Sequence, residues 1–440
     1  MSRSKHVFGN LWRVFLQVTM FTSLISIQCL AQTSPKAEIT LGQPMRIFVL
    51  IHQGGRQWLE DLYGAFTRSH PDIIVRTHSS DPDIPMRMRA YIETQTDLPD
   101  MIVAYSGSWS VDDIPYLADE GIIIPLDNYL IGDKTFDRAD IMENAWEPVT
   151  YREKIWGVPL RVESMALCCH MDAFARANVK DPPRTWNEFV EIAKKMTMDL
   201  NGDGKTDQYG FIWEPFEWRR PFSLWYTIAL QKGARFTKEG RWDFSDPKLA
   251  ESLRFLADLR NTYKATTDDR RTPHGMCIQW LCDGACKGGT ENLRFVSLPV
   301  FDYEAYATGI MNVYVTIRRT NSRKEDACWE FAKWLCRQFC SHPAVIRVPI
   351  KKSSVADPAW RDFIAKRPGT EVYFATFKRS HPAPLLHHGA DVAVKTLSRH
   401  FQAALDNRKS IEGALHDAEL ELNAIMRHVK TSESEFDLYK

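Results

Sequence analysis

No surplus of charge marks this sequence. Its 56 Lys and Arg residues are matched by 56 Asp and Glu, so the formal net charge at neutral pH is zero. A nucleic-acid binder carries a basic excess gathered on one face. None is present, and no long run of like charge offers an interaction tail. Internal repeats and low-complexity linkers are also missing, which argues against solenoids and against domains strung on flexible tethers. Neither cysteine cluster, Cys277/Cys282/Cys286 or Cys328/Cys336/Cys340, has the paired C-x2-C spacing of a structural zinc motif. There is no G-x-S-x-G, no H-E-x-x-H and no phosphate-cradling glycine loop, so the commonest hydrolase and nucleotide signatures are absent. Beyond residue 31 no stretch is long and apolar enough to span a bilayer.

What is present fits two lobes with cores of their own. The chain has 440 residues, longer than one average domain. Apolar residues make up 44% and charged ones 25%, an ordinary globular balance. Aromatics reach 12%, with 14 Trp, which suits either large cores or a cleft lined by flat rings. At the N-terminus, Arg3, Lys5 and Arg13 precede a mainly apolar stretch from Val14 to Leu30, followed by Ala31. This is the pattern of an export signal occupying residues 1–31. Cys29 is preceded by Gln28 and Ser26, a poor match to a lipid-attachment signal, so lipid anchoring is the weaker reading. An exported chain meets an oxidising compartment. Most of its nine cysteines still read as small buried apolar residues, with one or two disulfides allowed.

Element patterns alternate. Met45 to His52 is a continuous apolar run, as in a strand covered on both faces. Trp58, Leu62 and Phe66 then recur at helical spacing. Ile73 to Thr77 and Met101 to Tyr105 read as further strands, so a parallel sheet flanked by helices is expected. Met165 to His170 is another strand. Thr185 with Glu188 three residues on forms a capping box opening a helix over Asn187 to Thr197. Ala250–Tyr263, Asp326–Phe339 and Ser410–Val429 are amphipathic helices, and residues 430–440 read as a polar, frayed tail.

The sharpest local signal spans Asp199 to Asp207. Asp199, Asn201, Asp203 and Asp207 stand at positions 1, 3, 5 and 9 of an EF-hand-like loop, with Gly204 at the turning position 6 and the Lys205 carbonyl at position 7. Calcium takes six to eight hard oxygens, and alternate residues of a tight loop supply them. Position 12 is Gly210 instead of the bidentate Glu, and Gln208 or water is the candidate replacement. The competing reading is a polar turn without metal. Since the loop links a helix to the next segment, a structural Ca2+ is expected.

Several segments, in order, resemble a family of extracellular proteins. They are Leu98 to Ile102, Tyr151 to Leu160 (YREKIWGVPL), Ala166 to Thr197 with its Pro182-Pro183-Arg184-Thr185-Trp186, Asp326 to Leu335, Val348-Pro349, and Ser410 to Met426. On these the chain resembles a family 1 extracellular solute-binding protein of an ABC importer, similar in plan to the maltose- and alginate-binding proteins. Cys169-His170 replaces the family's usual Tyr-Asn, and Gln279-Trp280-Leu281-Cys282 replaces its Gly-x-Trp. The resemblance implies an α/β, two-lobed periplasmic-binding-protein-like (type II) fold with the ligand cleft between lobes. It implies an N-terminal lobe of residues 38–162 and 310–348, a C-terminal lobe of 163–309 and 349–429, and a first crossing near Arg161 to Ser164. It further implies a monomer that binds a carbohydrate and meets the membrane subunits of an ABC importer in the periplasm or cell exterior.

Cleft candidates come from strand ends and from the resemblance. Gln53 and Gly54 follow the first strand; Tyr105, Ser106, Ser108 and Trp109 follow the third, where open α/β sheets bind ligands. Glu163, beside Arg161 on the crossing, is placed to accept ligand hydroxyls in charge-assisted bonds; an ion pair with Arg161 is the bland alternative. Trp280, and less strongly Trp213 and Trp218, offer rings that stack on a sugar face, against core burial as the commoner fate of any single Trp. His387-His388 reads as a solvated loop. A secreted, calcium-dependent saccharide enzyme is the alternative class. It needs two positioned carboxylates, and nothing in the sequence brings Glu163 together with Glu214 or Glu217. A sensor for a membrane receptor would share the binder's fold.

Overall fold

The computed structural model describes residues 44–52, 57–80, 98–106, 114–212, 220–239, 241–269, 271–280, 292–301, 311–341, 348–367, 369–380 and 390–436. Ten strands build two five-stranded sheets among these residues. In chain order they are β1 (Met45–His52), β2 (Ile73–Ser80), β3 (Met101–Ser106), β4 (Val158–Glu163), β5 (Met165–His170), β6 (Tyr209–Ile212), β7 (Thr266–Thr267), β8 (His274–Trp280), β9 (Leu293–Val296) and β10 (Met311–Ile317). Two short hairpins stand outside the sheets.

The first sheet has the order β2-β1-β3-β10-β4. Its β1, β2 and β3 are parallel, while β10 runs antiparallel to β3 and β4. The apolar run read from the sequence explains β1: Ile47, Val49, Leu50 and Ile51 are all buried. Helix α1 (Gln57–Ser69) buries Leu62 and Phe66 beneath it. The second sheet has the order β7-β6-β8-β5-β9. One of its faces buries Leu167, Cys169, Phe211 and Met276 in a core shared with helix α2 (Trp186–Met196), helix α3 (Arg220–Gln231) and helix α4 (Pro247–Ala257). The other face, with Cys168, Ile212 and Cys277, belongs to the core that continues into the first sheet. These sheets are the hearts of the two lobes.

Helix boundaries follow local chemistry. The Thr185 hydroxyl accepts the Glu188 N–H at 3.1 Å and Glu188 Oε2 accepts the Thr185 N–H at 3.3 Å, so the capping box of α2 is formed. Trp186, Phe189, Val190, Ala193 and Met196 supply its buried face. Helix α5 (Ser322–Ser341) is longer at both ends than its apolar pattern predicts. The helix expected over Ala250–Tyr263 is split into α4 and a π-type turn at Asp258–Thr262. Helix α6 (Thr370–Phe377) and helix α7 (Ala390–Leu405) precede the terminal helix α8 (Ile411–Phe436). That last helix runs beyond the 429 end read from sequence, because no Gly or Pro interrupts residues 427–436.

The step between sheets is short. Strand β4 ends at Glu163, β5 begins at Met165, and only Ser164 lies between them. Ser164 is fully buried and its hydroxyl donates to the Tyr373 carbonyl of α6 at 2.6 Å. The crossing is therefore tied to a helix more than 200 residues away. The six cysteines among the described residues are buried thiols and form no disulfide. Among the described residues no helix is long and apolar enough to cross a membrane. The export signal and Cys29 lie outside the described residues, as do Cys282 and Cys286.

Candidate functional site

Strand register decides which of the sequence-derived candidates share an edge. Strands β1 and β3 pair in parallel, with Ile51 opposite Val103, so their carboxyl ends finish together. Strand β10 then pairs Asn312 with Ser106 on one side and Met311 with Glu163 on the other. The last residues of β1, β3 and β4 thus converge on one edge of the first sheet. Carboxyl ends of strands in open α/β sheets are where ligands bind. Across the Ser164 step, β5 pairs Met165 with Trp280, the last residue of β8. Strand β6 runs parallel to β8 with Ile212 opposite Cys277, so it ends on the same side. Register therefore brings the backbones of Tyr105, Ser106, Glu163 and Trp280 to the two sheet edges that adjoin the crossing.

Arg161 pairs with Val313 inside β4 and is half-buried. Gln53, Gly54, Ser108, Trp109 and Trp213 lie outside the described residues, as do Trp218, Glu214, Glu217 and His387-His388. Sequence reasoning placed the crossing but missed the element that secures it: α6, reached through the Ser164–Tyr373 hydrogen bond, has no signal near Ser164 in the chain. A separate cavity of about 570 Å³ opens between the loop before α2, strand β9 and the end of α6. Arg184, Arg294, Lys378 and Arg379 give it a cationic lining, and none of the sequence-derived candidates lines it.

The Asp199 loop has the turn chemistry its sequence announces. Gly202 and Gly204 take φ of +80° and +82°, a region L side chains avoid. Asp199 Oδ1 accepts the Gly202 N–H at 2.6 Å and Oδ2 the Gly204 N–H at 2.7 Å. These amides, Gly204 first, hold the exposed Asp199 carboxyl below its ordinary range. Asp207 Oδ2 accepts from Leu200 and Asn201, Asn201 Oδ1 from Asp203, and Asp203 Oδ1 from Lys205. Each side chain at positions 1, 3, 5 and 9 thus turns at least one oxygen toward the loop's own amides.

Two details correct the sequence reading of the loop's last ligand. Gln208 is fully buried: its Oε1 accepts from Arg176 Nε and Nη2 at 3.0 and 2.7 Å, and its Nε2 donates to the Met196 carbonyl. It is spent on holding the loop's exit and offers no oxygen to an ion. Gly210 stands at position 12 because β6 presses on α2: a Cβ there would lie 2.0 Å from the Ala193 carbonyl oxygen. The four side chains and the Lys205 carbonyl make a hard-oxygen set suited to Ca2+, short of its usual six to eight ligands, so water would complete the shell.

Comparison with known proteins adds a family. The model of the bacterial extracellular solute-binding proteins matches residues 51–270. A maltotriose-binding protein of Pyrococcus abyssi is 22% identical over 316 residues, covering 66% of this chain and 62% of that protein. An uncharacterized lipoprotein of Streptomyces antibioticus is 28% identical over 188 residues, 42% of this chain and 38% of that protein. The chain thus spans less than two thirds of the length of these curated relatives. Among solved structures, the sugar-binding protein MalE of Xanthomonas citri superposes with a TM-score of 0.74 at 15% identity, covering 89% of this chain and 99% of that one. A cyclic alpha-maltosyl-1,6-maltose binding protein of Arthrobacter globiformis gives 0.71 at 18% identity, covering 88% and 100%. At such identities the likeness is one of fold, and both share the two-lobed plan.

Proposed function

Since the chain belongs to the bacterial extracellular solute-binding proteins, we propose that it is the solute-binding component of an ABC importer that captures a carbohydrate by lobe closure, without catalysis. The ligand class is a mono- or oligosaccharide, or a related polyol or uronate. One observation carries the reading: the strand ends bearing Tyr105, Glu163 and Trp280 meet where a single buried residue, Ser164, joins the two sheets. A short link between rigid lobes is where hinge closure concentrates its backbone change. A carboxylate and an indole beside such a link suit hydroxyl recognition and ring stacking. The sugars named for the similar proteins point to the same ligand class.

The proposal extends to location and cofactor. The protein works outside the cytoplasm, delivered by the N-terminal signal, and hands its ligand to the importer's membrane subunits. One Ca2+ held by Asp199, Asn201, Asp203, the Lys205 carbonyl and Asp207 rigidifies the second lobe. What supports the ion is the donor set and the two left-handed glycines.

The test is a titration of the mature protein with mono- and oligosaccharides, polyols and uronates, followed by intrinsic fluorescence and melting temperature, with recovery of the ligand afterwards. A raised melt with intact ligand is the expected result. Cleaved product would overturn the non-catalytic reading, and silence across the whole panel would overturn the carbohydrate assignment.

A further inference from the structure

We propose that Cys168, His170, Cys277 and His274 form a zinc site within the second lobe. The site follows from register. Strands β5 and β8 are antiparallel, and Cys168 lies directly opposite Cys277. Side chains two apart on a strand share a face, so His170 stands on the same side as Cys168. The next pair, Cys169 and Met276, turns to the opposite core. At Gly275 the alternation breaks: a Cβ there would lie 1.9 Å from Met196 Cε, in that opposite core. His274 therefore falls on the thiol side, and its ring centroid is 4.7 Å from that of His170.

The ligand atoms of Cys168, His170 and Cys277 all lie within 4.8 Å of one another. This is the one such group of three His, Cys, Asp or Glu side chains among the described residues. The Cys277 thiol is also hydrogen-bonded to Cys168 and to His274, which sets His274 beside this group of three as the fourth donor. Tetrahedral zinc with Zn–S near 2.3 Å and Zn–N near 2.0 Å sets its ligands roughly 3.3–3.8 Å apart, so small side-chain movements close this cluster onto an ion. Two thiolates and two neutral imidazoles around Zn2+ sum to zero charge. That balance suits the place, because Cys168 and Cys277 are 0% and 1% exposed and an unbalanced charge there would be costly. Two soft thiolates also favour zinc over calcium or magnesium.

The site is distinct from the solute cleft. Cys277 is three residues from Trp280 and Cys168 three from Met165, about 10 Å along the sheet at the rise of a strand. Its role is structural: it staples the two central strands of the second sheet on the face opposite α2. Local sequence hides it, because the ligands come as C-x-H on β5 and H-x-x-C on β8, more than 100 residues apart.

The experiment is metal analysis of the full chain purified without chelator, with Co2+ substituted for zinc as an optical probe. The expected result is one zinc per chain and a cobalt form with thiolate charge-transfer bands and strong tetrahedral d–d bands. Both signals fall at least tenfold in Cys277→Ser and in His170→Ala. The wild-type measurement stands by itself if either variant fails to fold. No stoichiometric metal, or a cobalt form without thiolate bands, overturns the proposal. So does a Cys168–Cys277 disulfide found by peptide mapping under non-reducing conditions. Undiminished binding in a folded Cys277→Ser variant would move the metal elsewhere and equally overturn it.

Discussion

Asp133 gathers four donors onto one carboxylate. Lys333 Nζ reaches its Oδ2 at 2.6 Å and Trp329 Nε1 the same oxygen at 2.8 Å, while the Thr135 N–H and hydroxyl reach Oδ1 at 2.7 and 2.6 Å. Burial by itself would raise its pKa; the bonds from Lys333, Thr135 and Trp329 outweigh it and hold the carboxyl well below the usual range. A carboxyl with a depressed folded-state pKa adds stability above its unfolded pKa, and that stability is lost as pH falls through the folded value. Asp133→Ala is expected to cost about 3 kcal/mol in urea unfolding, because Lys333 of α5 is left largely buried with one carboxylate fewer. The variant should also lose part of the wild type's fall in stability below the carboxylate range. An unchanged acid slope would show that another group carries it.

At the scale of elements, the contact of β6 with α2 is the tightest backbone-to-backbone approach the glycines reveal. Gly210→Ala puts a methyl 2.0 Å from the Ala193 carbonyl oxygen, backbone against backbone, so neither side yields cheaply. Loss of several kcal/mol or failure to fold is expected, since overpacking by even one carbon typically costs about 1–3 kcal/mol. Gly132→Ala is the control: nothing lies within 4 Å of its Cβ, and a near-neutral denaturation midpoint is expected. The Asp199 loop feeds directly into this contact. If it holds calcium, exhaustive chelation lowers the melting temperature and added Ca2+ restores it, by preferential binding to the folded state. Identical melts with and without chelator would leave the loop as a turn held by its own amides.

At the scale of the whole molecule, the two lobes meet through Ser164 and the buried hydrogen bond to α6. Under the proposed closure the solute would touch both sheet edges at once, so residues from each lobe should matter. Glu163→Ala is expected to weaken binding roughly tenfold or more, the loss of a charge-assisted hydrogen bond. Trp280→Ala should weaken binding and reduce the ligand-induced fluorescence change. Calorimetry and fluorescence titration on folded variants check both. Wild-type affinity in Glu163→Ala, or an undiminished signal in Trp280→Ala, would remove that residue from the cleft.

Local chemistry was enough for much of this protein. Strand β1 is legible because a strand covered on both faces must be apolar throughout; α2 is legible because Thr185 and Glu188 satisfy amide groups within their own turn. The order of elements and a handful of segments sufficed for the family and its two-lobed plan. The turn at Gly202 and Gly204 also follows from sequence, since only glycine enters that backbone region freely. Tertiary structure decided everything that depends on distant neighbours. Gln208 reads as a possible ligand until Arg176 is found on its oxygen. Gly210 reads as a defect in a calcium loop until Ala193 is found against it. Cys168 and Cys277 read as separate buried thiols until register sets them opposite each other. Register and close packing arise from pairing between strands and helices far apart in the chain, and no local pattern encodes them.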